Sequence, residues 1–245
     1  MIKKILLTLL LLVFGAYFIV AITLFNKPSD TEVCTSVYIN VKDSVRAGFI
    51  NGQEVTRILK ATSLYPTGLL VKDINTRAIE DKLMENPFID NAECYRSATG
   101  RVCIEVSQRL PILRILSRTG ESCYLDARGN HMASGNALYA AHLPIVTGYV
   151  TRDYAIKHLL PLGQEIQDDE FWDSMIEQIN ITEDGNVELV PRIGDHIVYL
   201  GRPEQFDDKL YRLKIFYEKA LSQIGWNKYS RINLEFSNQI ICTKK

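Results

Sequence analysis

The sequence predicts an α+β protein: one transmembrane helix, then a βααββ module, then a mixed β-rich domain carrying a long amphipathic helix. Three observations predict it. Ile5 to Phe25 is an uncharged apolar run of about 21 residues, long enough as a helix to span the roughly 30 Å hydrocarbon core of a bilayer. From Val37 to Gln108 the apolar periodicity changes in the order strand, helix, helix, strand, strand. Beyond Pro111, short strand-like runs alternate with turn residues, and one stripe from Phe206 to Ile224 has helical spacing.

The apolar run has Lys3 and Lys4 before it and no good small-residue cleavage site after it, so it reads as an uncut anchor rather than a signal peptide. The two lysines favour an N-terminus kept in the cytoplasm, with the rest exported. The expected division is a cytoplasmic stub at 1–4, a transmembrane helix at 5–25, a spacer at 26–34, the βααββ module at 35–109 and the β domain at 110–245.

Val37 to Val41 alternates and reads as the module's first strand. Asn51 can cap a helix carrying Val55, Ile58 and Leu59. Asn75 or Thr76 can cap a second, with Ala78, Ile79, Leu83 and Met84, which Asn86-Pro87 ends. A hairpin follows, Phe88 to Tyr95 and Arg101 to Val106, around a turn at 97–100. Two helices can cover one face of the resulting three-stranded sheet. In the β domain, strands are expected at 112–116, 123–125, 145–150, 179–182, 187–190 and 197–200. A short helix is expected at 169–178 and a long one from about Pro203 to Ile224, closed by Gly225. Ile232, Leu234 and Phe236 then alternate before a break at Ser237-Asn238-Gln239.

Lys and Arg number 28 against 29 Asp and Glu, which argues against nucleic-acid binding, since that needs a basic face. Cys34, Cys94, Cys103, Cys123 and Cys242 match no disulfide framework and no zinc set. If Ala92 and Cys94 share an apolar face with Val102 and Ile104, strand parity turns Cys103 to the other face. Free thiols are therefore expected.

The four histidines, His131, His142, His158 and His196, have no metal-ligand spacing, and no nucleophile elbow, phosphate loop or dinucleotide fingerprint is present. His131 reads as a solvated loop residue, and His196 as a strand residue with a hydrogen bond or exposure. Asp168-Asp169 and Asp207-Asp208 sit near helix starts, where the dipole alone accounts for carboxylates. No catalytic, cofactor-binding or metal-binding residue is assigned, and no cofactor or small-molecule substrate is expected.

Several short motifs, in order over nearly the whole chain, carry a resemblance. They are Asn86-Pro87-Phe88-Ile89-Asp90-Asn91-Ala92, then Arg101 to Val106 with Gln108-Arg109-Leu110-Pro111, then Tyr124-Leu125-Asp126-Ala127-Arg128-Gly129, then Leu143-Pro144-Ile145-Val146-Thr147-Gly148. In these the chain resembles the bacterial FtsQ/DivIB cell-division family, and Val37 to Gln108 resembles its POTRA module. Val45-Arg46-Ala47-Gly48 departs from the family's first-strand turn, and the stub is minimal.

The resemblance implies a non-enzymatic protein of the division-site membrane complex, at the septum, with its folded part in the periplasm. It implies binding to two small single-pass coiled-coil partners, an FtsB/DivIC-like and an FtsL-like protein, through the β domain. It also implies contacts with other division proteins and a link from early division proteins to septal peptidoglycan synthesis. A sheet edge near the end of the sequence can accept a partner strand, and the aligned positions are Phe236, Ser237, Asn238, Gln239, Ile240 and Ile241. Competing readings are another anchored POTRA protein of envelope assembly or secretion, and a periplasmic wall enzyme. The first needs tandem modules or a barrel, and the second a nucleophile or metal constellation.

Overall fold

The computed structural model describes residues 2–25, 32–42, 48–97, 100–118, 120, 122–133 and 143–245. The backbone of α1 (Ile2–Phe25) is helical. The expected transmembrane helix is corrected at this point: among the described residues, no helix is long and apolar enough to cross a membrane.

The chain forms two compact units, Met1–Lys42 with Asn51–Ser107, and Asp43–Ile50 with Gln108–Lys245. The first contains β1 (Ser36–Lys42), α2 (Gly52–Ala61), α3 (Thr76–Met84), β2 (Ile89–Arg96) and most of β3 (Arg101–Gln108). Its sheet order is β1-β3-β2, with β1 parallel to β3 and Val37, Ile39 and Val41 opposite Val102, Ile104 and Val106. The side-chain oxygens of Asn51 and Asn75 accept from the Glu54 and Ala78 N–H groups, so both expected caps form. Val55, Leu59, Ile79 and Leu83 bury the helix faces on Ile89, Val102, Ile104 and Val106. Asn86 takes the Phe88 N–H on its side chain and the Ile89 N–H on its carbonyl, turning the chain from α3 into β2.

Cys94 is buried with Ala92 while Cys103 is half-buried, as strand parity requires. All five cysteines are free thiols. Burial pushes the Cys94 thiol up to about 12, so it behaves as a small core hydrophobe.

The second unit is built on a nine-stranded sheet. Its strands are β4 (Pro111–Ser117), β5 (Ser122–Asp126), β6 (His131–Ala133), β7 (Ile145–Gly148), β8 (Ile176–Ile181), β9 (Val187–Pro191), β10 (Ile197–Gly201), β11 (Tyr229–Asn233) and β12 (Ile241–Lys244). The order is β12-β11-β10-β9-β8-β7-β4-β5-β6. The pairs β4–β7, β7–β8 and β10–β11 are parallel, and the others antiparallel. The helices of this unit are α4 (Arg152–Tyr154), α5 (Leu160–Asp168), α6 (Glu170–Met175), α7 (Phe206–Phe216) and α8 (Ser222–Ile224). A π turn, Ala155–Leu159, joins α4 to α5, and another, Tyr217–Leu221, joins α7 to α8.

Alternation explains the core. Leu113 and Ile115, Val146, Ile179 and Ile181, Val187 and Leu189, Val198 and Leu200, and Ile232 point to one face of the sheet. Leu159, Leu162, Ile166, Trp172, Leu210, Leu213, Tyr217 and Leu221 cover that face from the helices. The opposite face carries a polar ladder. Gln178 donates to the Thr147 hydroxyl, Asn180 donates to Glu188, and Arg231 pairs with Glu188 while stacking on Tyr199.

Two of the motifs acquire a physical account. Asp126 closes its turn by accepting the Arg128 and Asn130 N–H groups on Oδ1 and the Asn130 side-chain amide on Oδ2, with Arg109 Nη1 3.6 Å away. Gly129 supplies the left-handed residue of that turn, at φ +81°. Gly148, at φ +92°, lies where a Cβ would strike the Ile181 carbonyl oxygen across the β7–β8 seam.

Two expectations are corrected, and one helical region appears where none was assigned. The helical region from Arg152 to Asp168 was not predicted; it forms across Pro161 because the π turn ahead of the proline relaxes the i−4 bonding that a proline would break. The helix expected over 169–178 stops at Met175, and Ile176 already opens β8. His131 is not in a loop but on β6, with Nδ1 3.3 Å from the Cys123 Sγ. His142 lies outside the described residues.

Candidate partner-binding edge

The sequence reading points to 236–241, and the structure divides these positions between a turn and a strand. β11 pairs on one side with β10 in parallel and on the other with β12 antiparallel, with Asn233 opposite Ile241 and Ile232 opposite Cys242. Among the described residues β12 is therefore one edge of the sheet, and β6 is the other. Phe236, Ser237, Asn238 and Gln239 form the exposed turn between β11 and β12, Ile240 is half-buried, and Ile241 begins the edge strand.

Local interactions fix this turn. Leu234 is buried and donates its N–H to the Tyr199 carbonyl at 2.9 Å, which carries the pairing one residue past β11. The Asn233 side chain then accepts the Glu235 N–H at 2.8 Å and bends the chain out of the sheet. Phe236 breaks the alternation of Ile232 and Leu234 and stands 47% exposed instead of entering the core.

Arg212 of α7 holds the turn from the helical side. Its Nη1 donates to the Phe236 carbonyl at 2.9 Å, its Nη2 to the Leu234 carbonyl at 3.1 Å, and its Nε to Asp208 at 2.8 Å. The guanidinium is anchored by a carboxylate one helical turn away and spends its fork on backbone oxygens. Beside it lies an apolar cavity of about 300 Å³, lined by Arg212, Ile215, Phe216, Lys219, Ala220 and Ile240.

This arrangement suits contact rather than bond making. An edge strand offers N–H and C=O groups to another strand. Phe236 at 47% and Ile241 at 43% exposure flank it as apolar contact surface. Cys242 turns toward the covered face of the sheet, where burial raises its thiol pKa. Sequence reasoning missed Arg212, because nothing in its spacing marks it as a clamp on a segment 24 residues away. It also missed that β12 runs on through Cys242, Thr243 and Lys244.

The described histidines lie elsewhere in the unit. His196 is buried, with Nε2 2.8 Å from the Tyr217 hydroxyl, and His158 packs on the Tyr154 ring. No group of three or more metal-ligating side chains occurs among the described residues.

Fold and edge together define an α+β protein with a POTRA-like module followed by a mixed sheet that keeps one strand edge open beside a clamped turn. Comparison with known proteins agrees: residues 32–107 match the POTRA-like domain, and residues 110–243 match the family described as FtsQ/DivIB, C-terminal related. The chain is 28% identical over 195 residues to the cell division protein FtsQ of Rhodothermus marinus, covering 75% of this chain and 70% of that protein. The chain belongs to the FtsQ/DivIB family of cell-division proteins.

Proposed function

We propose that this chain is a non-enzymatic docking protein of the division machinery, and that it holds an FtsB/DivIC-like and an FtsL-like partner through β12 and the Phe236–Ile241 segment. The observation that carries this reading is the open edge of β12, flanked by half-exposed Phe236 and Ile241. Main-chain hydrogen bonds to an added strand supply affinity, and the flanking side chains supply choice of partner. Family membership supports a place at the septum, with the folded units on the periplasmic side, linking early division proteins to peptidoglycan synthesis. Residues 35–109 and 110–245 are proposed as its separable modules.

Capture of the FtsB-like partner by tagged protein tests this. The full chain should retain the partner, and a chain ending at Ser237, which lacks β12, should lose it. Retained capture by a stably folded truncated chain places the interface elsewhere. A periplasm-active reporter fused after Lys245 tests location, and an inactive one refutes the periplasmic assignment.

A further inference from the structure

A trough of about 870 Å³ opens on the solvent side of the helical layer, between α7 and the junction of α5 with α6. The α7 wall is one helical face carried into the π turn. On it Asp207, Leu210, Tyr211, Lys214 and Glu218 stand at offsets of three, four, seven and eleven residues. That face is about 17 Å long, from a rise of about 1.5 Å per residue. The opposite wall is Glu165, Asp168, Asp169 and Trp172. Lys214 Nζ lies 2.9 Å from Asp169 Oδ2 and ties the two walls together.

Two properties set what the trough can hold. Its floor is apolar, with Trp172 and Leu210 buried and Ile215 half-buried, while Tyr211 beside them is 64% exposed. An aromatic residue this open beside an apolar floor is contact area that no described part of the chain uses. Its rim is acidic. Among the described residues, Asp168, Asp207 and Glu218 pair with no lysine or arginine. Lys214 is spent on Asp169, Arg212 on Asp208 and Lys209 on the Arg202 carbonyl, which leaves Lys219 as the lining cation not so engaged. Burial pushes the Glu165 carboxyl up to about 7, so the excess charge rests on the other three carboxylates.

We propose that this trough docks a basic amphipathic helix of a partner protein, with its apolar stripe on Leu210, Tyr211 and Trp172 and its cations against Asp168, Asp207 and Glu218. A helix fits here and a strand does not. The backbone groups of α5 and α7 are bonded within those helices, so no ladder is on offer, whereas side chains at helical offsets form ridges that a third helix can enter. Charge complementarity sets the sign: a basic helix relieves the excess on the rim, and an acidic one is repelled. Arg212 and Phe216 turn another face of α7 toward Ile240. The trough is therefore separate from the β12 edge and stands whether or not that edge holds a partner.

The test titrates the full chain into a fluorescein-labelled peptide of about 14 residues, long enough to cover the α7 face. The peptide carries leucines at helical spacing with lysines on the flanks, and its twin carries glutamates in place of the lysines. Fluorescence anisotropy should show binding of the lysine peptide, weakening as salt rises, and none of the glutamate twin. Asp168→Lys combined with Asp207→Lys should reverse the preference. Glu183→Lys combined with Asp184→Lys makes the same change in net charge away from the trough and should leave the preference as it was. Tyr211→Ala should weaken binding roughly tenfold, and because Tyr211 is exposed it serves if the double variant misfolds. Equal affinity for the two peptides, a preference that survives Asp168→Lys with Asp207→Lys, or one lost equally in the control pair overturns the proposal. So does self-association of the wild-type chain that Tyr211→Ala abolishes, since that gives the trough to a second copy.

Discussion

Arg212 Nη1 donates to the carbonyl oxygen of Phe236 at 2.9 Å, so a helix side chain holds the backbone of the turn that leads into the sheet's edge strand. With the bonds to Leu234 and Asp208, one guanidinium orders the approach to β12. Arg212→Ala should cost about 1–3 kcal/mol in urea unfolding, because charge-assisted bonds are lost and two carbonyls lose a partner. Arg212→Lys should recover little, since an ammonium cannot span both carbonyls as the fork does. Full recovery by lysine would mean that charge alone matters there.

Alternate residues of an edge strand point their N–H groups outward, and the others bond inward. A proline scan over 241–244 should therefore show an alternating pattern. Prolines at outward positions should weaken partner capture with little change in melting temperature, and prolines at inward positions should lower the melting temperature. Gln239→Pro falls in the turn, outside the ladder, and should affect capture less than the outward strand positions. Uniform loss of capture without alternation would argue against strand addition.

Phe236 is half-exposed, so Phe236→Ala should leave the fold nearly unchanged. If it anchors a partner, capture should weaken by about 2 kcal/mol, roughly thirtyfold in affinity. Equal affinity for wild type and variant in a binding titration would remove Phe236 from the interface.

Gly148→Ala should unfold or severely destabilise the second unit, by more than about 3 kcal/mol, because a Cβ meets the Ile181 carbonyl oxygen and the backbone sits at φ +92°. Thermal unfolding of purified protein measures this, and a near-normal melting temperature would contradict it.

Burial lowers the His196 pKa below its ordinary 6.5. The fold keeps this imidazole neutral while the unfolded chain takes up a proton, so its contribution is full above 6.5 and is lost as pH falls toward the folded value. His196→Gln should flatten the acid side of stability against pH while division function in a complementation assay stays intact. An unchanged slope would mean that other groups set it.

Much of the architecture was legible because each element carried its own local signal. Asn51 and Asn75 announced two caps, and Val102, Ile104 and Val106 announced a strand by alternation. The region from Arg152 to Asp168 received no assignment from the sequence, although Leu159, Leu162 and Ile166 form a buried stripe around Pro161 and Gly163. Helical bonding shifted to π spacing removes the conflict, and composition alone does not signal that shift. The apolar run at the start signalled length, but no helix among the described residues is long and apolar enough to cross a membrane. At the edge, Phe236 continued an alternation on paper. The Asn233 side chain ends it locally, and Arg212 reaches the turn only through tertiary placement.

The parallel pairing of β10 with β11 has a temporal consequence. Parallel neighbours cannot meet through a tight hairpin, and here the residues between Gly201 and Tyr229, with α7 among them, must first cross the sheet. β12 joins β11 by a short local turn, so its docking edge has its place only after that long-range closure. On the docking reading, a partner that reads β12 meets only chains in which β11 has already joined β10. Strand addition at β12 on that reading requires the β10–β11 closure first.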